Sequence, residues 1–218
     1  MEHVLGWARF AGLRIAVGPG VFVPRRRSEF LVRVAADLLT ARKASSPQEQ
    51  LVAVDLCCGS GALGAALFAR VGGLELHCAD IDPVAVDYAR RNLLGTGAQA
   101  YCGDLVEPLP PRLRDRVAVL VANVPYIPTS ALRLLPGEAR LHEPRAALAG
   151  GPDGLDVARR VAAAAPGWLA PGGHLLIETS RDQVPTAVAA FSAAGLVAEV
   201  NVDDELAATV IVGRYDRC

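Results

Sequence analysis

A chain of 218 residues, 52% of them hydrophobic, fits one α/β domain with a small appendage and can bury a sizeable core. Its 22 Lys+Arg against 23 Asp+Glu leave a net charge of −1, which disfavours a dedicated nucleic-acid binder that neutralises many phosphates. No apolar stretch reaches the length of a membrane span. Met1-Glu2-His3-Val4 lacks the basic and apolar regions of a signal peptide. The five cysteines (Cys57, Cys58, Cys78, Cys102 and Cys218) are odd in number and form no C-x-x-C pair, so reduced thiols, no metal and a cytoplasmic location are expected.

Residues 9–23 read as a β-hairpin: Leu13 to Val17 alternates, and Gly18-Pro19-Gly20 supplies a turn before Val21-Phe22-Val23. Ser28 then caps a helix running to about Arg42. A polar linker around Pro47 separates this appendage, residues 1–46, from a larger domain over 47–218. Leu51 to Leu56 is a continuous apolar strand, followed by Gly59-Ser60-Gly61 and a helix from Ala62 to Arg70. Leu74 to Asp80 is a second strand, and Pro83 opens the next helix. Gln99 to Cys102 and Val117 to Ala122 are the third and fourth strands. A Pro-rich loop from Asn123 to about Pro152 precedes a helix over 153–169. Pro171-Gly172-Gly173 turns into a fifth strand, His174 to Glu178. A helix from about Gln183 to Ala194 leads to two runs, Leu196 to Val202 and Ala208 to Tyr215, which should pair antiparallel. Alternating helices and near-continuous apolar strands predict a Rossmann-like, mostly parallel sheet covered on both faces, closed by an antiparallel edge.

In such a sheet ligands bind at the carboxyl ends of the strands, so polar residues at the strand tips carry the information. The first strand ends in Asp55 and the run Cys57-Cys58-Gly59-Ser60-Gly61, where glycines admit a ligand close to the backbone and the next helix offers free N–H groups. Taken alone, this is also what a plain strand-to-helix turn looks like. The second strand ends Asp80-Ile81-Asp82, an acid placed about twenty residues after the glycines, as ribose hydroxyls require. The third ends Gly103-Asp104-Leu105, an acid suited to an exocyclic amine. Three tip acids in order favour an adenosine ligand; NAD stays open, although the turn lacks the packed dinucleotide fingerprint.

The fourth strand ends Asn123-Val124-Pro125-Tyr126-Ile127, which resembles the Asn-x-Pro-Tyr motif of methyltransferases that modify planar amide or amino nitrogens. From Arg9 to Tyr215 the chain is similar to the catalytic domain of the HemK/PrmC protein-(glutamine-N5) methyltransferases, which act on translation release factors. The similarity rests on the joint order of Pro19 to Arg25, Ser28-Glu29, Asp55 to Gly64, Ala79-Asp80, Asn123 to Ile127, Glu143 to Leu148, Gly150-Gly151, Asp153 to Asp156, Pro171 to Gly173 and Gly213 to Tyr215.

The resemblance implies a class I S-adenosylmethionine-dependent methyltransferase whose partner is a protein, such as a release factor presenting a Gly-Gly-Gln loop. It places the cofactor on Asp55, Cys57, Gly59, Gly61, Asp80, Ile81, Asp104 and Leu105, together with Asn123. Transfer falls to Asn123, Val124, Pro125 and Tyr126, and substrate contacts to Arg25, Glu29, Tyr126, Glu143 and Pro144. An amide nitrogen is a poor nucleophile because its lone pair is delocalised. The Asn123 oxygen and the Val124 carbonyl can accept its two N–H bonds and hold it in line with the methyl, while Tyr126 packs on the flat amide. Two features depart from the family: Val124 stands where proline is usual, and only a handful of residues precede Arg9, where the family carries a helical docking domain.

Some residues keep a bland reading. Glu29 is either an acid favoured by the helix dipole or part of a substrate channel, and Arg25-Arg26-Arg27 is either a solvated turn or faces the substrate. Arg159-Arg160 reads as a solvated helix face, and His142-Glu143, suggestive of acid–base chemistry, becomes by resemblance a loop at the substrate entrance. The alternative functions are a small-molecule N- or O-methyltransferase, a nucleic-acid adenine methyltransferase and a non-catalytic cofactor-binding module.

Overall fold

A computed structural model describes residues 2–134 and 143–216; His142 and Cys218 lie outside them. After a short helix α1 (Glu2–Leu5), strands β1 (Trp7–Phe10) and β2 (Leu13–Ala16) form an antiparallel hairpin. Its turn is Ala11-Gly12, both with positive φ (47° and 82°), the geometry that matches the right-handed twist of a two-residue hairpin. The expected hairpin over 9–23 was therefore set one turn too late. Gly18 lies against the Tyr88 hydroxyl, where a Cβ would come within 2.0 Å, so this segment packs on a helix and Val21-Phe22-Val23 forms no strand.

Helix α2 (Glu29–Ser45) follows a 3-10 turn over Arg26–Ser28. Ser28 already has helical backbone angles and makes no side-chain cap, contrary to expectation. Then come β3 (Val52–Leu56), α3 (Ala62–Val71), β4 (Glu75–Asp80), α4 (Pro83–Asn92), β5 (Gln99–Cys102), β6 (Val117–Ala122), α5 (Asp156–Ala164), β7 (Leu169–Thr179), α6 (Val184–Ala193), β8 (Leu196–Asp203) and β9 (Ala208–Tyr215). Helix α5 is shorter than the sequence suggests because Gly154 (φ +82°) precedes it and Pro166, which lacks an N–H, forces a 3-10 turn after it. Pro171-Gly172-Gly173 lies inside β7 as an excursion: Val117 pairs with Leu169, but Val119 pairs with His174.

The seven-stranded sheet has the order β5-β4-β3-β6-β7-β9-β8, parallel through β7, with β9 inserted antiparallel between β7 and β8. Alternate residues serve opposite faces. Ala53, Val119 and Val121 join one buried cluster with Leu31, Leu39 and Leu67 of α2 and α3. Val54, Leu120 and Leu175 join the other with Val161 of α5 and Phe191 of α6. Phe10 and Ile15 of the hairpin belong to the first cluster, so the N-terminal segment shares the core of the sheet. No helix among the described residues is long and apolar enough to cross a membrane.

Candidate active site

The tips of β3 to β6 open on one cavity of about 920 Å³. At the first tip Asp55 is fully buried, and its Oδ2 accepts the Gly64 N–H at 2.9 Å. Its Oδ1 is buried with no hydrogen-bond partner. Burial pushes its pKa up to about 7; the Gly64 N–H opposes this and the Asp80 charge adds to it. Cys57 (φ 53°), Gly59 (φ 54°) and Gly61 (φ 74°) bend the chain through the left-handed region, and Gly61 precedes α3 where an added Cβ would lie 3.0 Å from the Ala89 Cα. A non-glycine residue held there stores strain that the surrounding packing must sustain. Cys57 lines the cavity, but burial first and the Asp80 charge second push its thiol well above the usual range, so it is no thiolate nucleophile.

Asp80 ties two loops together. Its Oδ2 accepts the Gly59 N–H at 2.8 Å and its Oδ1 accepts the Asp82 N–H at 2.9 Å. Burial raises its pKa, while these same N–H groups hold it down. Ile81 stands exposed beside it and gives the cavity a flat apolar wall. Across the opening Asp104 and Leu105 (φ 48°) face the same space. Arg160 of α5, solvent-exposed as the sequence suggests, also reaches over to pair with Asp104 at 2.6 Å.

At the fourth tip, Asn123 gives one N–H of its Nδ2 to the Ser28 Oγ at 3.1 Å, leaving its Oδ1 toward the cavity. Among the described residues neither the N–H nor the carbonyl of Val124 is engaged by another backbone or side-chain group, and its side chain is buried. The rest of the loop is zipped to the segment before α5: Ile127 N–H donates to Leu148 O at 3.1 Å and Gly150 N–H to Ile127 O at 2.9 Å. Gln183 donates to the Tyr126 carbonyl at 2.8 Å. Gly154 makes this closure possible, since a Cβ there would lie 2.3 Å from the Tyr126 oxygen. Because the Val124 N–H has no acceptor to lose, Val124→Pro is expected to keep the fold and to keep or modestly raise activity on a glutamine amide. Thermal melting plus turnover checks this; a large loss of stability would mean the loop needs that N–H.

Among the expected substrate residues, Arg25, Tyr126, Glu143 and Pro144 line the cavity. Arg25 holds the buried Glu143 carboxylate at 2.6 and 2.7 Å, and Val23 N–H adds a contact at 3.4 Å. Glu29 does not join them: its Oε1 accepts the Ala11 N–H at 2.9 Å, bracing the hairpin turn. Arg27, left open between a solvated turn and a substrate-facing role, joins the site, while Ser28 and Glu178 were missed. Arg27 donates to Glu178 at 2.9 Å, touches the Tyr126 hydroxyl and lies over the Tyr126 ring at 5.4 Å. Ser28 was read only as a cap. Glu178, the penultimate residue of β7, does not itself line the cavity but receives Arg27 and the Tyr126 hydroxyl, both residues that do.

The fold is shared with solved methyltransferases. The chain is similar to one from Pyrococcus furiosus (TM-score 0.65, 14% identity, 94% of this chain and 90% of that one). It is also similar to a T. thermophilus 16S rRNA N2 G1207 methyltransferase solved with AdoMet and guanosine (TM-score 0.63, 21% identity, 96% of this chain and 49% of that one). The fold is that of the class I S-adenosylmethionine-dependent methyltransferases.

The methyltransferase small domain model matches residues 13–201. A release factor glutamine methyltransferase of Mycolicibacterium smegmatis is 37% identical over 207 residues, covering 94% of this chain and 70% of that protein. A 4-amino-L-phenylalanine/4-methylamino-L-phenylalanine methyltransferase of Streptomyces pristinaespiralis is also 37% identical, over 194 residues, 89% of this chain and 65% of that protein. The chain belongs to the methyltransferase small domain family, among the release factor glutamine methyltransferases.

Proposed function

We propose that this chain transfers a methyl group from S-adenosylmethionine to the side-chain amide nitrogen of a glutamine in a protein such as a release factor. The observation that carries this reading is the commitment of the Asn123 Nδ2 to Ser28, which leaves an oxygen acceptor beside the unengaged Val124 carbonyl. Two acceptors fit an –NH2 group and its two N–H bonds. The cofactor, when bound, supplies a methyl activated on a sulfonium. The residues present suit it. The left-handed run Cys57–Gly61 lets a ligand approach the backbone, Asp80 and Asp104 keep lone pairs for ribose hydroxyls and an exocyclic amine, and Ile81 offers an apolar face to a base. Tyr126 covers the flat amide and excludes water, and Arg25 and Pro144 shape the entrance. No strong base is needed, because the methylated nitrogen sheds its proton after transfer.

The Streptomyces pristinaespiralis relative supports a second reading, transfer to a small aromatic amine, since an arylamine also presents a planar –NH2. Methyl transfer from labelled cofactor to a Gly-Gly-Gln peptide, to 4-aminophenylalanine and to DNA separates the two. Preference for the peptide supports the first; turnover of the amino acid alone overturns it.

Asp80→Ala is expected to weaken cofactor affinity by about 1.5–3 kcal/mol, the usual loss for a hydrogen bond to a charged group. Calorimetry on the folded variant checks this, and unchanged affinity would remove Asp80 from the cofactor site.

A further inference from the structure

We propose that Arg27 and Glu178 are positioning residues: together they hold the Tyr126 hydroxyl and so fix the ring whose face covers the methyl acceptor. The proposal rests on reading Tyr126 as that cover.

Three segments far apart in the chain meet here. Arg27 lies in the 3-10 turn before α2, Tyr126 in the loop after β6, and Glu178 is the penultimate residue of β7. Arg27 and Tyr126 line the cavity, while Glu178, only 2% exposed, does not. Arg27 Nε donates to Glu178 Oε1 at 2.9 Å, and the Tyr126 hydroxyl donates to the same oxygen at 3.3 Å. Arg27 Nη2 donates to the Tyr126 oxygen. The guanidinium carbon lies over the Tyr126 ring, 5.4 Å from its centre.

Counting protons fixes the direction of each bond. A guanidinium only donates and a carboxylate only accepts. The phenol has one proton, so it accepts from Arg27 and gives that proton to Glu178. The three groups thus close a ring of hydrogen bonds in which none can be reversed. Each bond has an ionised partner, which makes it one of the stronger kind. Arginine suits the task because its planar fork presents two donors at a set angle, one for the carboxylate and one for the phenol. The other end of Tyr126 is pinned too, since its carbonyl receives Gln183 Nε2 at 2.8 Å. The side chain cannot swing aside without breaking both bonds of its hydroxyl.

The same bonds set what Tyr126 does. Its one proton is committed to Glu178, so it has none to give an acceptor, and Arg27 takes one face of the ring. A planar amide or arylamine is left the other face. Tyr126 then works as a held wall and not as an acid. Holding it narrows the orientations open to the acceptor nitrogen, which is where a positioning group earns rate.

Arg27→Lys tests this, because it keeps the charge beside Glu178 but loses the second donor of the fork. On whichever of the Gly-Gly-Gln peptide or 4-aminophenylalanine is turned over, we expect kcat to fall about ten-fold or more, with S-adenosylmethionine affinity within about two-fold of wild type. Tyr126→Phe should lose a similar factor while leaving the Arg27–Glu178 pair intact, so it keeps the test open if the lysine variant unfolds. In the Tyr126→Phe background Arg27→Lys should cost little further kcat, because the tie is already cut. An ion pair that serves stability alone would cost the same in either background. A crystal structure of Arg27→Lys needs no acceptor, and should show the Tyr126 ring displaced or in more than one rotamer. Losses that multiply in the double variant, or a Tyr126 ring left in its wild-type place, would overturn the clamp. Tyr126→Ala separates the two levels: if it stays active, the reading of Tyr126 as the cover fails. If it is inactive while Tyr126→Phe and Arg27→Lys keep wild-type kcat, only the clamp fails.

Discussion

Replacing Asn123 with alanine is expected to leave cofactor affinity within about two-fold of wild type while lowering turnover roughly 100-fold or more. The groups proposed to hold the cofactor line the cavity from other strand tips: the Cys57–Gly61 run after β3, Asp80 on β4 and Asp104 after β5. Asn123 contributes one hydrogen bond to Ser28 and is only partly buried, so its removal should cost about 1 kcal/mol of stability. The reacting nitrogen, by contrast, loses an acceptor whose value lies in aiming its lone pair. A 100-fold loss corresponds to about 2.7 kcal/mol of activation free energy. Single-turnover kinetics on a preformed cofactor complex, with calorimetry beside them, make the comparison. Turnover near the wild-type rate would show that the amide is oriented by other groups.

Asp55→Asn should produce the largest change in stability, with a sign that depends on pH. An acid whose pKa is raised on folding, here from the ordinary 3.8 to about 7, binds its proton more tightly in the native state. Native protein is then unaffected by this group below pH 4 and loses stability as pH climbs from 4 toward 7, by up to about 4 kcal/mol. Asparagine keeps an acceptor for the Gly64 N–H and carries no charge at any pH. At pH 8 the variant should therefore be more stable than wild type, and at pH 4 nearly equal to it. Denaturant unfolding at the two pH values measures the difference. Equal stabilities at pH 8 would mean that Asp55 ionises without penalty, its Oδ1 meeting a water or a ligand.

Much of this architecture could be read from the chain before any coordinates. The strands β3 and β6 are near-continuous apolar runs, buried at every position. The tip acids Asp80 and Asp104 follow from the same logic, because a parallel sheet leaves its carboxyl ends as the open edge. What the sequence hid depends on contacts between distant segments. The hairpin turn went to Ala11-Gly12 because Glu29, eighteen residues on, holds the Ala11 N–H. Gly18-Pro19-Gly20 has the stronger local turn signal but lies against Tyr88. Ser28 looked like a cap since serine before a helix usually is one; its hydroxyl is instead taken by Asn123, 95 residues away. Arg160 is solvent-exposed as read, but nothing in its helix shows that Asp104 stands opposite.

The insertion of β9 between β7 and β8 ties the cavity to the order in which the chain is made. Glu178 pairs with Val210 and Thr179 with Thr209, so this edge of β7, which reaches the cavity through Arg27 and Tyr126, stays open until the final strand has emerged. A ribosome releases the β3 to β7 layers and the glycine turn long before then. Until Ala208–Tyr215 arrives, β7 presents a row of unsatisfied backbone groups to any other strand in reach. The Glu178 carboxylate, which receives Arg27 and the Tyr126 hydroxyl, is therefore among the last groups to be fixed. A chain lacking Ala208–Tyr215 leaves β7, and with it the partner of Arg27 and Tyr126, without its antiparallel neighbour.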